Sequence, residues 1–131
     1  MQQAGYGISR KLDIGFDDAE KRIREKLKEQ GFGILTEINV QKTLKEKLNV
    51  DFKRYLILGA CNPPFAHKAL SLETEIGLMM PCNVIVYEAE GGKAVVSAID
   101  PLSAMGVVGN DKLKEFAAQV REKLMAAVMA V

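Results

Sequence analysis

Residues 82–89 read CNVIVYEA and residues 93–99 read KAVVSAI, with Gly91-Gly92 between them. The two runs have strand-like composition, and the paired glycines supply the backbone freedom that a tight hairpin turn requires. We therefore predict a β-hairpin in this segment, ended by Asp100-Pro101. The hairpin predicts that the sheet contains antiparallel strands.

Three further strands are predicted on the N-terminal side of the hairpin. Tyr55–Cys61 (YLILGAC) is apolar throughout, as expected of a central strand that is covered on both faces. Gly5–Leu12 and Gly33–Val40 alternate in character from one residue to the next, which is typical of strands with one buried face.

The first long helix is predicted after the first strand. Asp17 is a good N-cap residue, and Glu20 follows three residues later, as in a capping box. Gly31 ends the helix because glycine adopts the left-handed conformation at low cost. One face is apolar and carries Ala19, Ile23 and Leu27.

Two short helices and one long helix complete the pattern. Leu44 and Leu48 mark the first short helix, and the second spans Phe65–Leu72 after a cap at Asn62. The last helix begins at a cap on Asn110 or Asp111 and must be buried along its length. Its wide apolar stripe consists of Leu113, Phe116, Ala117, Val120, Leu124, Ala127, Val128 and Val131.

These elements predict an α+β fold with one antiparallel-rich sheet and two main helices packed on one face. The length of 131 residues fits a single domain over 1–131. Its 18 basic and 17 acidic residues leave a net charge of +1, which gives no electrostatic footprint for duplex nucleic acid.

The first residues and the lengths of the apolar runs are the sequence features that bear on cellular location. Residues 1–10 lack the pattern of a signal peptide, and no apolar run is long enough to cross a membrane. Two cysteines are too few for a disulfide framework. We therefore expect a cytoplasmic protein with free thiols.

Several short motifs, taken together, resemble one prokaryotic family. They are LGACNP at 58–63, AHKAL at 66–70, IGL at 76–78, PCNV at 81–84 and Asp100-Pro101. In this combination and order the chain resembles the family called domain of unknown function 302. The resemblance implies a TATA-box-binding-protein-like architecture with the order strand, helix, four strands, helix. The resemblance does not indicate a catalysed reaction, and DNA binding cannot be inferred from the fold alone.

Cys61, His67 and Cys82 form the most interesting group of side chains. Cys61 ends a buried strand just before a helix, where exposed N–H groups can stabilise a thiolate. Cys82 begins another strand, and His67 is the single histidine of the chain. The three residues are open to several interpretations, in which the cysteines are buried hydrophobes, reactive thiols, or soft-metal ligands together with His67.

The metal interpretation is incomplete from the sequence. The spacing fits no standard zinc pattern, and a fourth ligand would have to come from Glu73, Glu75, water or a second subunit. Methionines offer another use of the region, because Met79, Met80 and Met105 can line an apolar pocket as well as fill a core.

We carry three functional hypotheses from the sequence. The leading one is a small-ligand-binding module whose rim is formed by Cys61, Asn62, Pro63, His67 and Cys82. The second is a thiol- or metal-dependent enzyme that uses Cys61, with Cys82 as a second thiol or ligand and His67 as base or ligand. The third is a homodimeric interaction domain that uses the apolar stripe of the last helix. The identity of any cofactor is left open.

Overall fold

The computed structural model describes residues 5–131. The first four residues, on which part of the signal-peptide prediction depends, lie outside the described residues. The strands are β1 (Gly7–Gly15), β2 (Gly33–Asn39), β3 (Tyr55–Cys61), β4 (Cys82–Glu88) and β5 (Lys93–Ile99). The helices are α1 (Phe16–Glu29), α2 (Val40–Leu48), α3 (Pro63–Leu72), α4 (Pro101–Met105) and α5 (Asp111–Met129), with short 3-10 helices at Thr74–Met79 and Glu90–Gly92.

The five strands form one fully antiparallel sheet in the order β1-β5-β4-β3-β2. The predicted hairpin is confirmed, since β4 pairs directly with β5. The expected order of strand, helix, four strands and helix is also confirmed, with α2, α3 and α4 as short additions. The sheet therefore places the end of β3 beside the start of β4, where Ala60 pairs with Cys82.

Helices α1 and α5 pack together on one face of the sheet, as predicted. Along the central strands every second residue points into the core that they cover, because side chains of a strand alternate between faces. Ile23 and Leu27 of α1 and Leu124 of α5 are completely buried there against Leu58 and Val96. Six of the eight stripe residues of α5 are thus buried within the chain, and Phe116 and Val120 are half-buried.

The predicted capping box of α1 is wrong. The helix begins at Phe16, directly after β1, and its N-cap is Gly15, which has no side chain to accept a hydrogen bond. Phe16 is buried in the core and fixes this early start. Asp17 instead pairs with Arg54 at 2.6 Å, and Glu20 pairs with Arg24.

The other boundaries agree in part with the sequence pattern, and α3 begins at Pro63 rather than at the predicted Phe65. Gly31 has a positive φ of 86° after the end of α1, and Asn110 caps α5 by accepting from the backbone N–H of Lys112. Strand β1 is shifted, spanning Gly7–Gly15 rather than Gly5–Leu12. Its extra residues are accommodated by an irregularity in the pairing with β5 after Lys11.

Candidate functional site

An apolar cavity of about 60 Å³ lies where β3 ends and β4 begins. Phe65 of α3 and Phe116 of α5 form one side of it, with their rings edge to face at 6.4 Å between centroids. Among the described residues no charged side chain lines it. The full wall consists of Phe32, Ala60, Cys61, Asn62, Phe65, Ala66, Ala69, Met80, Pro81, Cys82, Pro101, Met105, Leu113, Phe116, Ala117 and Val120.

A second, larger cavity of about 260 Å³ adjoins the first. The two share five wall residues, namely Met80, Pro81, Cys82, Pro101 and Met105. The remaining wall of the second cavity is formed by Leu78, Met79, Asn83, Ile99 and Ala104. The shared wall thus includes two flexible methionine side chains, which adapt easily to a ligand.

Both cysteines line the first cavity, and both are free thiols. Burial raises the pKa of Cys82 from its ordinary value of 9.0 to about 11, and the nearby Cys61 adds to this rise. Desolvation has this effect because it disfavours the charged thiolate. Cys82 is therefore a protonated thiol at neutral pH, and a protonated thiol is a poor nucleophile.

Asn62 is nearly buried and ties the cavity to the end of α1. It occupies the N-cap position of α3 but does not cap that helix with its side chain. Its Nδ2 donates to the carbonyl oxygen of Gln30 at 3.3 Å. The side chain also packs against Gly31, where an added Cβ would approach Nδ2 to 3.1 Å. The LGACNP segment is thereby fixed at the cavity wall.

The structure places the five predicted rim residues in two groups. Cys61, Asn62 and Cys82 lie together in the cavity wall. Pro63 and His67 are exposed on α3 and are not part of that wall. His67 is turned away because Ala66 and Ala69, three residues apart on the helix, face the cavity.

Within residues 5–131 no three His, Cys, Asp or Glu side chains come together as a metal site. The structure thus does not bring Cys61, His67 and Cys82 together as a ligand set, and it adds neither Glu73 nor Glu75 to the cavity.

Helix α4 closes one side of both cavities through Pro101 and Met105. Asp100 caps this helix and links it to α5 and to the backbone at Tyr6. Its carboxylate accepts from the N–H of Leu102 and from Nε of Arg121, each at 3.0 Å, and its own N–H donates to the carbonyl of Tyr6. Arg121 belongs to α5, so this ion pair joins two walls of the cavity. The Asp100-Pro101 motif is therefore a structural part of the site.

The pocket predicted at Met79, Met80 and Met105 agrees with the structure, because all three residues line one or both cavities. The sequence gives no signal for Phe65 or Phe32 as wall residues, and it marks Phe116 only as part of the apolar stripe. The Asp100-Pro101 motif marks Pro101 without indicating a role. Such residues look like core residues in a sequence, because an unfilled space leaves no pattern.

Fold and cavity together define a class: an α+β domain with an apolar cavity, bordered by two cysteines, at one end of its sheet. The chain belongs to the family described as domain of unknown function DUF302, whose model matches residues 8–131. It is similar to a solved structure, the uncharacterized conserved protein DUF302 from Bacillus stearothermophilus, with 30% identity and a TM-score of 0.89. The match covers 97% of this chain and 98% of that one. No curated protein matches.

The resemblance inferred from the short motifs is confirmed by the family match. LGACNP and PCNV are the segments that bring Cys61 and Cys82 to the cavity. In the described part of the chain, no helix has the length and apolar character needed to cross a membrane.

Proposed function

We propose that this protein is a binding module for a small, uncharged and mainly apolar ligand, held in the cavity between β3, β4, α3 and α5. The observation that carries this proposal is the wall itself, which is apolar apart from two thiols and one amide. Binding sites are typically concave, mostly apolar and equipped with a few polar groups that orient the ligand. Cys61, Asn62 and Cys82 are those groups here.

The size of the two cavities limits the ligand. An apolar cavity of about 150 Å³ accommodates a molecule such as benzene. The first space of about 60 Å³ is smaller, and the adjoining space of about 260 Å³ is larger. A single ring or a short branched chain fits this pair, whereas a dinucleotide does not. Met80 and Met105 line both spaces, so a change in their conformation would change the room available to a ligand.

The two alternatives draw less support. A thiol enzyme that uses Cys61 needs a base nearby, but His67 lies outside the cavity wall, and burial keeps the second thiol, Cys82, protonated by raising its pKa. A homodimer through α5 needs an uncovered stripe, but Leu113, Leu124 and Val128 are fully buried within the chain. We further propose that the chain acts as one domain in the cytoplasm, where reducing conditions keep both thiols free.

The proposal is tested by screening small apolar compounds for a rise in the melting temperature. A ligand that binds only the folded state stabilises it by mass action. Ala66 lines the cavity, so Ala66→Leu fills part of it, and we expect this variant to lose the response. Ala126→Leu makes the same change at an exposed site of α5 and should keep the response. Equal responses in both variants would contradict the proposal.

A further inference from the structure

The wall of the first cavity is rich in sulfur-containing side chains. Four of its wall residues carry a sulfur atom: both cysteines of the chain, Cys61 and Cys82, and two of its six methionines, Met80 and Met105. Met79 borders the adjoining space. These residues come from three separate segments, so the fold rather than local sequence assembles them.

The kinds of donor in this set point to a soft metal ion. Thiolate and thioether ligands together select Cu(I) and chemically similar ions. Zinc instead takes cysteine, histidine and carboxylate ligands, usually four of them. In the described chain no third residue of those types joins the two cysteines. Two thiols with two thioethers therefore suit a soft monovalent ion better than zinc.

The charge of a monovalent ion is compatible with the apolar wall. Burying an unpaired charge in an apolar space is costly. A monovalent cation with one thiolate and neutral thioethers makes a site with no net charge. The balanced step is RSH + M⁺ → RS–M + H⁺, in which the S–H bond breaks, an S–M bond forms and the proton leaves to water. No oxidation state changes, so no oxidant or reductant is needed.

We propose that this cavity binds one soft monovalent d¹⁰ ion of the Cu(I) class, through the cysteine sulfurs of Cys61 and Cys82 and the thioethers of Met80 and Met105. This site goes beyond the proposed apolar ligand and does not depend on it. It also differs from the set expected from the sequence, because methionines replace His67.

The test is an anaerobic titration of the reduced protein with Ag(I), a redox-inert ion of the same class, and with Cu(I) delivered as a chelator complex. We expect one ion per chain in native mass spectra. Loss of a direct ligand should weaken binding at least as much as loss of a supporting partner, which is about ten- to a hundredfold. We therefore expect that loss or more in Cys82→Ala and in the double variant Met80→Leu with Met105→Leu.

Two variants serve as matched controls. Met129→Leu removes an exposed methionine of α5, and His67→Ala removes the exposed histidine, so both should bind as the wild type does. The change from methionine to leucine nearly conserves volume, which favours a folded variant. As a measurement that needs no variant, ¹³C-methyl methionine NMR should show Ag(I) shifting the Met80 and Met105 signals and leaving Met129 in place.

Three outcomes would overturn the proposal: no binding to the wild type, full affinity in the double variant, or methyl shifts confined to methionines outside the cavity. Failure here is separable from failure of the apolar-ligand proposal. If the protein binds apolar compounds but not Ag(I), only the metal-site proposal is refuted. If the protein binds Ag(I) but no apolar compound, only the apolar-ligand proposal is refuted.

Discussion

At the scale of single residues, the cavity wall keeps the Cys82 thiol protonated. The unfolded thiol ionises near pH 9.0 and the folded one near 11. The unfolded state therefore loses its proton first as the pH rises, so the stabilising contribution is complete below pH 9 and disappears between pH 9 and 11. This corresponds to about 3 kcal/mol of unfolding free energy.

We predict that denaturant unfolding of the wild type shows this alkaline loss and that Cys82→Ala lacks it. Tyr55 also has a pKa raised by burial, and both proteins retain it, so the difference between them isolates Cys82.

Alkylation of the thiol provides an independent check of the raised pKa of Cys82. In Cys61→Ala, Cys82 should react more slowly at pH 8 when folded than when unfolded, because burial, the main cause of its raised pKa, remains and fewer thiolates are present. Equal rates would refute the raised pKa.

Gly59 is a second residue whose identity is dictated by its neighbours. A Cβ at this position would meet Oγ1 of Thr36 and would lie 2.8 Å from Cγ of Pro81. We expect Gly59→Ala to cost about 1–3 kcal/mol of stability through overpacking, measured by denaturant unfolding. Adding Thr36→Ala should recover part of the loss.

Gly33 offers the comparison for this position. It lies in the neighbouring strand β2, and an added Cβ would touch nothing within 4 Å. Gly33→Ala should therefore leave stability nearly unchanged. A loss at Gly33 as large as that at Gly59 would mean that contact with Thr36 and Pro81 is not the cause of the loss at Gly59.

At the scale of elements, the N-caps of α5 and α2 differ because α5 is packed into the core and α2 is not. Asn110 caps α5, which packs Leu113, Leu124 and Val128 into the interior. Asn39 caps α2 in the same way, by accepting from the N–H of Lys42, but α2 buries none of its residues.

We predict that Asn110→Ala lowers the unfolding free energy by about 1 kcal/mol, the usual cost of losing an N-cap side chain. Asn39→Ala should cost less in global unfolding, because α2 can fray while the sheet and α5 stay folded. Thermal or denaturant unfolding of the two variants measures the difference. A larger loss at Asn39 would show that α2 is part of the cooperative core.

The elements also show where sequence reasoning succeeds. The hairpin, β3 and α5 follow from local patterns of alternation, apolar content and periodicity, so their positions were predictable. The capping box at Asp17 failed because tertiary contacts decided the helix start. Phe16 is drawn into the core, and Arg54, distant in the sequence, pairs with Asp17.

At the scale of the whole molecule, the stripe of α5 belongs to the core. Leu124 is completely buried by residues of its own chain. We predict that Leu124→Ala costs about 2–5 kcal/mol in unfolding free energy, as is typical of such truncations. The mass measured by sedimentation equilibrium should stay that of the wild type. Met129→Ala, at an exposed site of the same helix, should change neither quantity appreciably.

A fall in oligomer mass with little loss of stability in Leu124→Ala would instead support the interaction-domain hypothesis. The two readouts separate a core role from an interface role, because a core residue acts on folding at every protein concentration.

The candidate site was predictable in part. Cys61, Asn62 and Cys82 were named from their positions at strand ends, and the sheet register brings those ends together. The exposure of His67 depends on the rotation of α3, which the sequence does not define. The closing wall from α4 and α5 depends on long-range packing, including the Asp100–Arg121 ion pair.

The central claim is that the cavity between β3, β4, α3 and α5 is a binding site. The most direct measurement is ¹³C-methyl methionine NMR of the wild type during titration with a small apolar probe such as benzene. We predict saturable shifts of the Met80 and Met105 methyl signals, no shift of exposed Met129, and loss of the shifts in Ala66→Leu. Unmoved Met80 and Met105 signals, or equal shifts at Met129, would contradict the claim.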